Sequence, residues 1–401
     1  MIKTKMWDNM NLITLNGITL LIHVFYSTYS FFISWLIVFQ TIVLILGLLI
    51  HKKIKYIFML SMVIIFAFIA VLINGGGYGS LLVIVNTSLM LHLSMSVTIS
   101  IRTRRLTTIS YILLTVIWMF KQGVGLYNPN TVGIIAVLGV IFMDWALSDF
   151  KIPKLIKVIL FSIFMLLVFH MIFEKSNSRN SIAAIAVYIF VVNLMPNKLL
   201  IKNLINKSIF LFLTVGSLVW TKIVIYLYQH LILIKLFFSN KHFYTGREII
   251  WDEVWDLLKS SWLFGLGTHQ SLSSITTFNL HNSMLNLLSA YGLLTAVAFI
   301  MLAYAVFKNM VNRLEKYNDR FSKISLAAYI TIMFHAFNEL TLFSTTFLAP
   351  MLALFSFLAD YGDDLKAIKQ IKCCNIATYK LLLKPDASVK KKYKQGLENY
   401  T

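Results

Sequence analysis

Long apolar runs recur along the whole chain, and they constrain its fold more than any other feature. Runs of about 16–20 apolar residues have the length that an α-helix needs to cross a bilayer. Only 13% of the 401 residues are charged, whereas a soluble domain carries about 25%. The short segments of alternating hydrophobicity that build membrane barrels are absent from the sequence. The predicted fold class is therefore all-α, a multi-pass transmembrane helical bundle.

The apolar runs predict about twelve spans. We place them at roughly 11–26, 31–50, 56–73, 81–101, 106–120, 131–147, 158–173, 181–196, 208–230, 283–307, 324–342 and 344–360. Lys and Arg concentrate in alternate connections, which is the pattern of cytoplasmic loops. Both termini are then cytoplasmic, and the long 236–282 loop is external. Lys3 and Lys5 precede the first span without a cleavage site after it, so we expect that span to stay as an anchor.

This topology divides the chain into two predicted parts. Residues 1–360 form a transmembrane catalytic domain, and residues 361–401 form a basic cytoplasmic tail. The tail either binds anionic lipid headgroups or is a disordered solubilising segment. The formal net charge of +20 does not indicate nucleic acid, because the basic residues lie mostly in short loops between spans.

The external loop carries the most polar and aromatic segment. Thr245 and Glu248 fit a helix-capping pattern, and Trp251 begins an apolar stripe that continues at helical spacing through Trp255, Leu258 and Trp262. This predicts an amphipathic helix that lies in the membrane interface. The alternative is a helix that packs only on the bundle.

Two arginines stand at helix starts that face outward in this topology. Arg247 lies in the first turn of the loop helix, and Arg179 lies in the first turn of the eighth span, where Asn177 or Ser178 can cap. A helix N-terminus and a guanidinium both favour phosphate. Each arginine alone could simply reach a lipid headgroup. Together they indicate a shared anionic ligand, to which Lys222 in the ninth span could add a third positive charge.

Further polar candidates follow. His281 and Asn282 begin the tenth span, where an imidazole could act as a general base. Gly265 and Gly267 permit a tight turn or close approach of a ligand. His335 and Glu339 are four residues apart, which predicts one shared face of the eleventh span. In the predicted topology they lie in the outer half of that span, and ionisable residues inside a membrane span are functional candidates. The alternative is a buried pair that locks helices together.

Several motifs are missing from the sequence. It has no Walker loop, no external cluster of acidic residues for a divalent metal and no metal-binding Cys/His spacing. The only cysteines are Cys373 and Cys374, which we interpret as reduced thiols. We therefore expect no metal and no cofactor, with Arg, Lys and helix ends supplying positive charge.

These motifs, in this order, resemble the O-antigen ligase and polymerase superfamily of bacterial surface-polysaccharide enzymes. The matching features are Ser178-Arg179, Gly246-Arg247, Trp251, Gly265-x-Gly267, His281-Asn282 and Tyr291-Gly292. Trp262 departs from the pattern, because a proline is expected before the Gly-x-Gly pair.

The resemblance implies a metal-independent glycosyltransferase with a GT-C-like helical fold in the bacterial inner or plasma membrane. It implies a polyprenyl-diphosphate-linked oligosaccharide as donor and acceptor, used at the external face. Carried over to this chain, Arg179 and Arg247 bind the donor diphosphate and His281 orients or deprotonates the acceptor hydroxyl. Glu339 is matched less closely. A flippase and a chain-length regulator are candidate partners besides membrane lipids.

Three functions remain open, besides a purely structural role as a membrane scaffold. The first is a polymerase that joins lipid-linked repeats into a capsule, an O-antigen or a similar polymer. The second is a ligase that moves finished glycan to another acceptor, and the Lys-rich composition, which suits a host without lipid A, favours the polymerase over it. The third is a flippase or transporter, which the long external loop and the absence of an evident internal repeat disfavour.

Overall fold

The computed structural model describes residues 30–51, 56–75, 77–95, 101–121, 129–150, 152–176, 178–230, 244, 246–268, 272 and 280–343. The first predicted span, the predicted span at 344–360 and the basic tail at 361–401 lie outside the described residues. The described helices, in chain order, are α1 (Ser30–His51), α2 (Ile57–Asn74), α3 (Tyr78–Ser94), α4 (Ile101–Lys121), α5 (Pro129–Asp149), α6 (Lys154–Met171), α7 (Arg179–Ile189), α8 (Asn197–Ile201), α9 (Asn203–Gln229), α10 (Arg247–Leu258), α11 (Ser283–Tyr317) and α12 (Arg320–His335). Short π-helical turns, Ile172–Ser176 and Phe190–Leu194, extend α6 and α7.

The architecture is that of a multi-pass membrane protein. Within the described ranges, five helices are long and apolar enough to cross a membrane by length and composition: α2, α5, α6 with its π turn, α9 and α11. Shorter apolar helices lie at Trp35–Leu49, Tyr78–Ser94 and Arg179–Leu194. The all-helical membrane class is therefore confirmed, and the total of about twelve spans stays a prediction.

Burial separates a central helix from peripheral ones. In α5, 83% of the apolar window is buried, whereas the corresponding share in α2 and in α6 is 28%. An apolar helix that leaves most of its surface outside the protein is suited to contact with lipid. The bundle is thus organised around α5, with α4, α6 and α7 packed against it.

The longest helix, α11, spans 35 residues, or about 52 Å at the usual rise per residue. It packs against α2, α9 and α12 and bends at Gly292, where the backbone has a φ of 78°. The predicted span stopped near residue 307, but the helix continues to Tyr317. Its polar last turns continue because Met310, Val311 and Leu314 are buried in the bundle.

The loop helix α10 packs on the bundle. Its residues Ile250, Trp251, Val254 and Leu258 are buried, and it contacts α9. The predicted amphipathic helix therefore exists, but its apolar face covers protein, as in the alternative interpretation. It begins after Gly246, which is the N-cap residue with a φ of 87°, and Thr245 lies outside the described residues.

Helix ends converge at one end of α12. The helices α7, α10 and α11 begin at Arg179, Arg247 and Ser283, and each of these starts lies near the segment that follows His335. The chain thus brings three helix starts and one helix end, from distant parts of the sequence, to a single place.

Candidate functional site

The segment after α12, residues 336–343, forms the base of the site, and we call it the 336–343 turn. The prediction that His335 and Glu339 share a helix face is wrong, because α12 ends at His335. The backbone carbonyls of Ala336 and Glu339 accept hydrogen bonds from the Ser283 backbone N–H (2.9 Å) and hydroxyl (2.8 Å), respectively. The start of α11 therefore diverts the chain from the helix and turns Glu339 toward His281.

Arg247 binds this turn directly. Its Nη1 donates to the Asn338 carbonyl at 2.6 Å, and its Nη2 lies 2.8 Å from Glu339 Oε1. Trp220 donates from Nε1 to the Asn338 side chain at 3.1 Å, which fixes the same turn from α9. The Arg247 side chain keeps 22% of its surface exposed, so the guanidinium is held in place without being enclosed.

His281 lies on the other side of Glu339. Its Nδ1 is 3.3 Å from Glu339 Oε2, and 24% of the side chain is exposed. The residue has a φ of 48°, in the left-handed region that a non-glycine residue occupies at a cost of about 1–3 kcal/mol. Such backbone strain is found where surrounding structure holds a side chain in a functional position.

Neighbouring residues impose that conformation on His281. Trp251 donates from Nε1 to the Leu280 carbonyl at 2.6 Å, immediately before the histidine. Asn282 caps α11 by accepting from the Leu285 backbone N–H at 2.8 Å, and its Nδ2 donates to the Phe337 carbonyl at 2.7 Å. The predicted residues Trp251 and Asn282 are thus positioning residues for His281.

Arg179 begins α7 at the same place. Asn180 donates to the His335 carbonyl at 2.8 Å, which fixes the first turn of α7 to the end of α12. The Arg179 guanidinium lies close enough to that of Arg247 for the two charges to interact. The N-cap residue of α7 is Ser178, but its hydroxyl contacts Ser181 Oγ at 2.9 Å and does not cap the helix. Neither N-cap residue, Ser178 or Gly246, caps its helix with a side chain. At the start of α10, however, the Gly246 N–H donates to Glu248 Oε1 at 2.9 Å.

Four side chains from these elements form what we call the site cluster: Arg179, Arg247, His281 and Glu339. Burial by itself would raise the pKa of the Glu339 carboxyl, but the His281 hydrogen bond and the Arg247 charge together hold it below its ordinary value. Glu339 is therefore an anion at neutral pH. Arg179, Arg247 and Glu339 together contribute two positive charges and one negative charge to the cluster, which suits an incoming polyanion.

His335 does not reach this cluster as a catalytic group. It is fully buried, with Nε2 at 3.2 Å from Ser181 Oγ and Nδ1 at 2.7 Å from Thr341 Oγ1. It joins α7, α12 and the 336–343 turn. The geometry favours the second interpretation of this residue, a buried group that locks the helices together.

Lys222 is also separate from the cluster. It lies on an exposed part of α9 with Nζ 4.8 Å from the centroid of the Trp255 ring. Trp255 is eight residues along α10 from Arg247, or about 12 Å of helix rise. The third positive charge that the sequence suggested for the diphosphate site is therefore not brought to it.

The Gly-x-Gly turn serves packing. A side chain at Gly265 would meet the backbone of Ser289 and Gly292, where the Gly292 N atom lies 2.7 Å from its ideal Cβ position. The Leu293 N–H donates to the Trp262 carbonyl at 3.0 Å, so the turn and the bend in α11 fit together backbone to backbone. Gly267 packs similarly on Asn74. Of the two roles that the sequence left open, the tight turn is the one observed.

Small polar residues that sequence reasoning did not select hold the site cluster together: Asn180, Ser181, Ser217, Ser283 and Thr341. The sequence feature that could have identified some of them is their position relative to helix starts. Asn180, Ser181 and Ser283 lie at or beside a predicted helix start, where hydroxyl and amide groups commonly satisfy backbone atoms.

Comparison with known proteins agrees with the residue-level resemblance. The family model Wzy_C, described as O-antigen ligase, matches residues 163–300. No curated protein matches the chain. The matched segment includes Arg179, Arg247 and His281, whereas Glu339 lies beyond it. The match indicates a membrane enzyme of the O-antigen ligase/polymerase type, whose members are glycosyltransferase-like.

The segment that brings both arginines and His281 to the site cluster is thus the part of the chain that is similar to the O-antigen ligase family, which supports the resemblance to the O-antigen ligase/polymerase superfamily.

Proposed function

We propose that this protein polymerises oligosaccharide repeat units carried on polyprenyl diphosphate, at the external face of the bacterial inner or plasma membrane. The observation that carries the proposal is the convergence of Arg179, Arg247, His281 and Glu339 at helix ends from separate parts of the chain. Glycosyl transfer from such a donor requires a positively charged binding site for the diphosphate and a general base beside it.

The diphosphate would lie between the two guanidinium groups. Arg247 is partly exposed and Arg179 is near enough to repel it, so an anion between them removes an unfavourable interaction. Guanidinium binds phosphate oxygens through paired hydrogen bonds. The starts of α7 and α10 add backbone N–H groups, which also favour anions.

Glycosyl transfer follows from that placement. The acceptor sugar hydroxyl forms a new C–O bond to the anomeric carbon of the donor, and the bond from that carbon to the diphosphate breaks. The electron pair leaves with the diphosphate, whose growing negative charge the arginines stabilise. The proton of the hydroxyl passes to His281. A neutral imidazole that donates Nδ1–H to Glu339 has its lone pair on Nε2, so Nε2 is the nitrogen that takes the proton.

Glu339 would act by positioning. Its Oε1 contacts Arg247 and its Oε2 contacts His281, so one carboxylate sets the distance between the phosphate-binding group and the base. Diphosphate binding by Arg247 and proton removal by His281 would then take place on either side of the same glycosidic bond. Cleavage of the lipid-linked bond supplies the free energy of the reaction.

The direct experiment is a transfer assay with the purified protein in lipid nanodiscs. A polyprenyl-diphosphate-linked repeat unit as the only substrate should give a ladder of products that differ by one repeat. Arg247→Ala should reduce the ladder about 10- to 150-fold, since a charge-assisted hydrogen bond contributes about 1.5–3 kcal/mol. Arg105→Ala, on an exposed arginine that pairs with Asp149, is the matched control and should leave the ladder unchanged.

The same assay separates the ligase, which is the second candidate that the family match supports. A ligase would give no ladder from repeat units alone and would transfer glycan only after a different acceptor is added. Loss of the ladder in Arg105→Ala to the same degree as in Arg247→Ala would contradict the proposed diphosphate site.

A further inference from the structure

A cavity with several charged lining residues lies at the end of α12 opposite the site cluster. Its volume is about 480 Å³, within the range of small-ligand sites. The walls come from α5, α6, α7 and the first turn of α12, and they include Asp144, Lys154, Lys157, Tyr188 and Arg320. From Arg320 to His335, α12 rises about 22 Å, so this cavity is distinct from the candidate active site.

Positive charge predominates among the residues that line this cavity. Asp144 is the one carboxylate among them, and both of its oxygens are engaged. Tyr188 donates its hydroxyl to Oδ2 at 2.9 Å, and Arg320 lies 2.8 Å from Oδ1. Lys154 and Lys157 are the remaining charges in the lining. A ligand there is therefore expected to bring negative charge.

The wall formed by α6 connects the cavity to the lipid-facing surface. Lys154, Lys157 and Phe161 line the cavity at positions i, i+3 and i+7, so they share one helix face. The other face exposes Leu155 at 71% and Ile159 at 48%, and only 28% of the apolar window of this helix is buried. A ligand in the cavity thus has ammonium groups on one side and an apolar, bilayer-facing surface beside it.

We propose that this cavity binds the headgroup phosphate of an anionic phospholipid. The two lysines hold the phosphate, and the acyl chains lie along the exposed apolar face of α6. Basic pockets between membrane helices bind such headgroups because phosphate gains ion pairs while the chains stay in the bilayer. Ser162 and Asn193, which also line the cavity, offer hydrogen bonds to headgroup hydroxyls. This site is independent of the proposed polymerase activity.

Native mass spectrometry of the delipidated full chain in detergent tests the site. We expect dioleoylphosphatidylglycerol to bind more tightly than dioleoylphosphatidylcholine. The double variant Lys154→Gln/Lys157→Gln should weaken phosphatidylglycerol binding about 30-fold, from about 1 kcal/mol for each lysine. Lys154→Arg/Lys157→Arg keeps the charges and should retain binding.

The matched control is Lys202→Gln/Lys207→Gln, which removes two exposed lysines outside the cavity lining. An equal loss in this control, or no loss in the cavity variant, would overturn the proposal. Equal thermal unfolding temperatures of the two glutamine variants establish that both are folded. If glycerol 3-phosphate displaces phosphatidylglycerol at equal concentration, the ligand is a soluble phosphate and the lipid assignment is wrong.

Discussion

The two ends of α12 use charged residues in opposite ways. Near its start, two carboxylates pair with arginines: Asp149 with Arg104 and Arg105, and Asp144 with Arg320. At its end, one buried carboxylate, Glu339, lies between Arg247 and His281, and Arg179 adds a charge that repels Arg247.

The two ends differ in how far their arginines are buried. Arg104 is 5% exposed and its ion pair with Asp149 joins α4 to the end of α5, which is a structural role. At the site cluster, by contrast, the Arg179 and Arg247 side chains are both partly exposed, and the proposed diphosphate would bind between them.

The largest effect is expected from removing both site arginines. Arg179→Ala/Arg247→Ala should lower the rate of transfer about 10²–10⁴-fold, because two groups that bind the departing diphosphate are lost together. Polymer length in cells and product ladders in nanodiscs measure it, and an immunoblot of the membrane fraction checks the amount of protein. The matched double variant Arg105→Ala/Lys198→Ala removes two exposed charges at the opposite end and should keep normal polymer. Similar losses in both variants would remove the distinction between the two ends.

A smaller loss of transfer rate is expected from replacing the proposed general base, His281. His281→Ala should slow transfer about 100-fold, at the lower end of what a general base contributes. Donor binding, measured by titration with a polyprenyl diphosphate, should change little because the arginines remain. His281→Gln is the size-matched comparison. Unchanged turnover in both variants would exclude His281 from proton transfer.

Glu339 tests positioning within the cluster. Glu339→Gln keeps the length of the side chain but removes the charge that contacts Arg247 and His281, so we expect kcat to fall about tenfold or more with a small change in KM. Glu339→Asp keeps the charge on a shorter side chain and should retain more activity than the glutamine variant. The reverse order, with Gln more active than Asp, would mean that size and packing matter and the charge does not.

The smallest effect is expected at Lys222. Its ammonium lies over the Trp255 ring, a contact worth about 0.5–1 kcal/mol at an exposed position. Lys222→Gln should therefore lower the unfolding temperature slightly and leave the transfer rate within about twofold. A loss of transfer rate comparable to that of Arg247→Ala would mean that Lys222 does belong to the diphosphate site.

Helix positions and the site charges could be predicted from the sequence because they depend on local signals. The apolar runs located α2, α5 and α9 to within a few residues at most ends, and the arginines were recognised by their place at helix starts. The end of α11 was missed because hydropathy falls at Lys308 while burial against the bundle continues.

Long-range hydrogen bonds account for what the sequence did not reveal. The end of α12 is set by Ser283 and Asn282, more than fifty residues away, so no local pattern predicts that Glu339 leaves the helix. Trp251 was expected in the membrane interface because tryptophan favours that depth, but the Leu280 carbonyl and the packing against α9 bury it. Lys222 and Arg247 are both cationic, so the sequence alone does not distinguish them. The structure separates them because Lys222 contacts Trp255, which is about two turns along α10 from Arg247.

The most direct test of the account is an experimental structure of the protein with polyprenyl diphosphate bound. We predict the diphosphate between Arg179 and Arg247, with its oxygens at hydrogen-bonding distance of about 2.7–3.2 Å from both guanidinium groups and with His281 beside the anomeric position. A diphosphate bound elsewhere, with the Arg247–Glu339 pair unchanged and Arg179 apart from the ligand, would contradict the central claim.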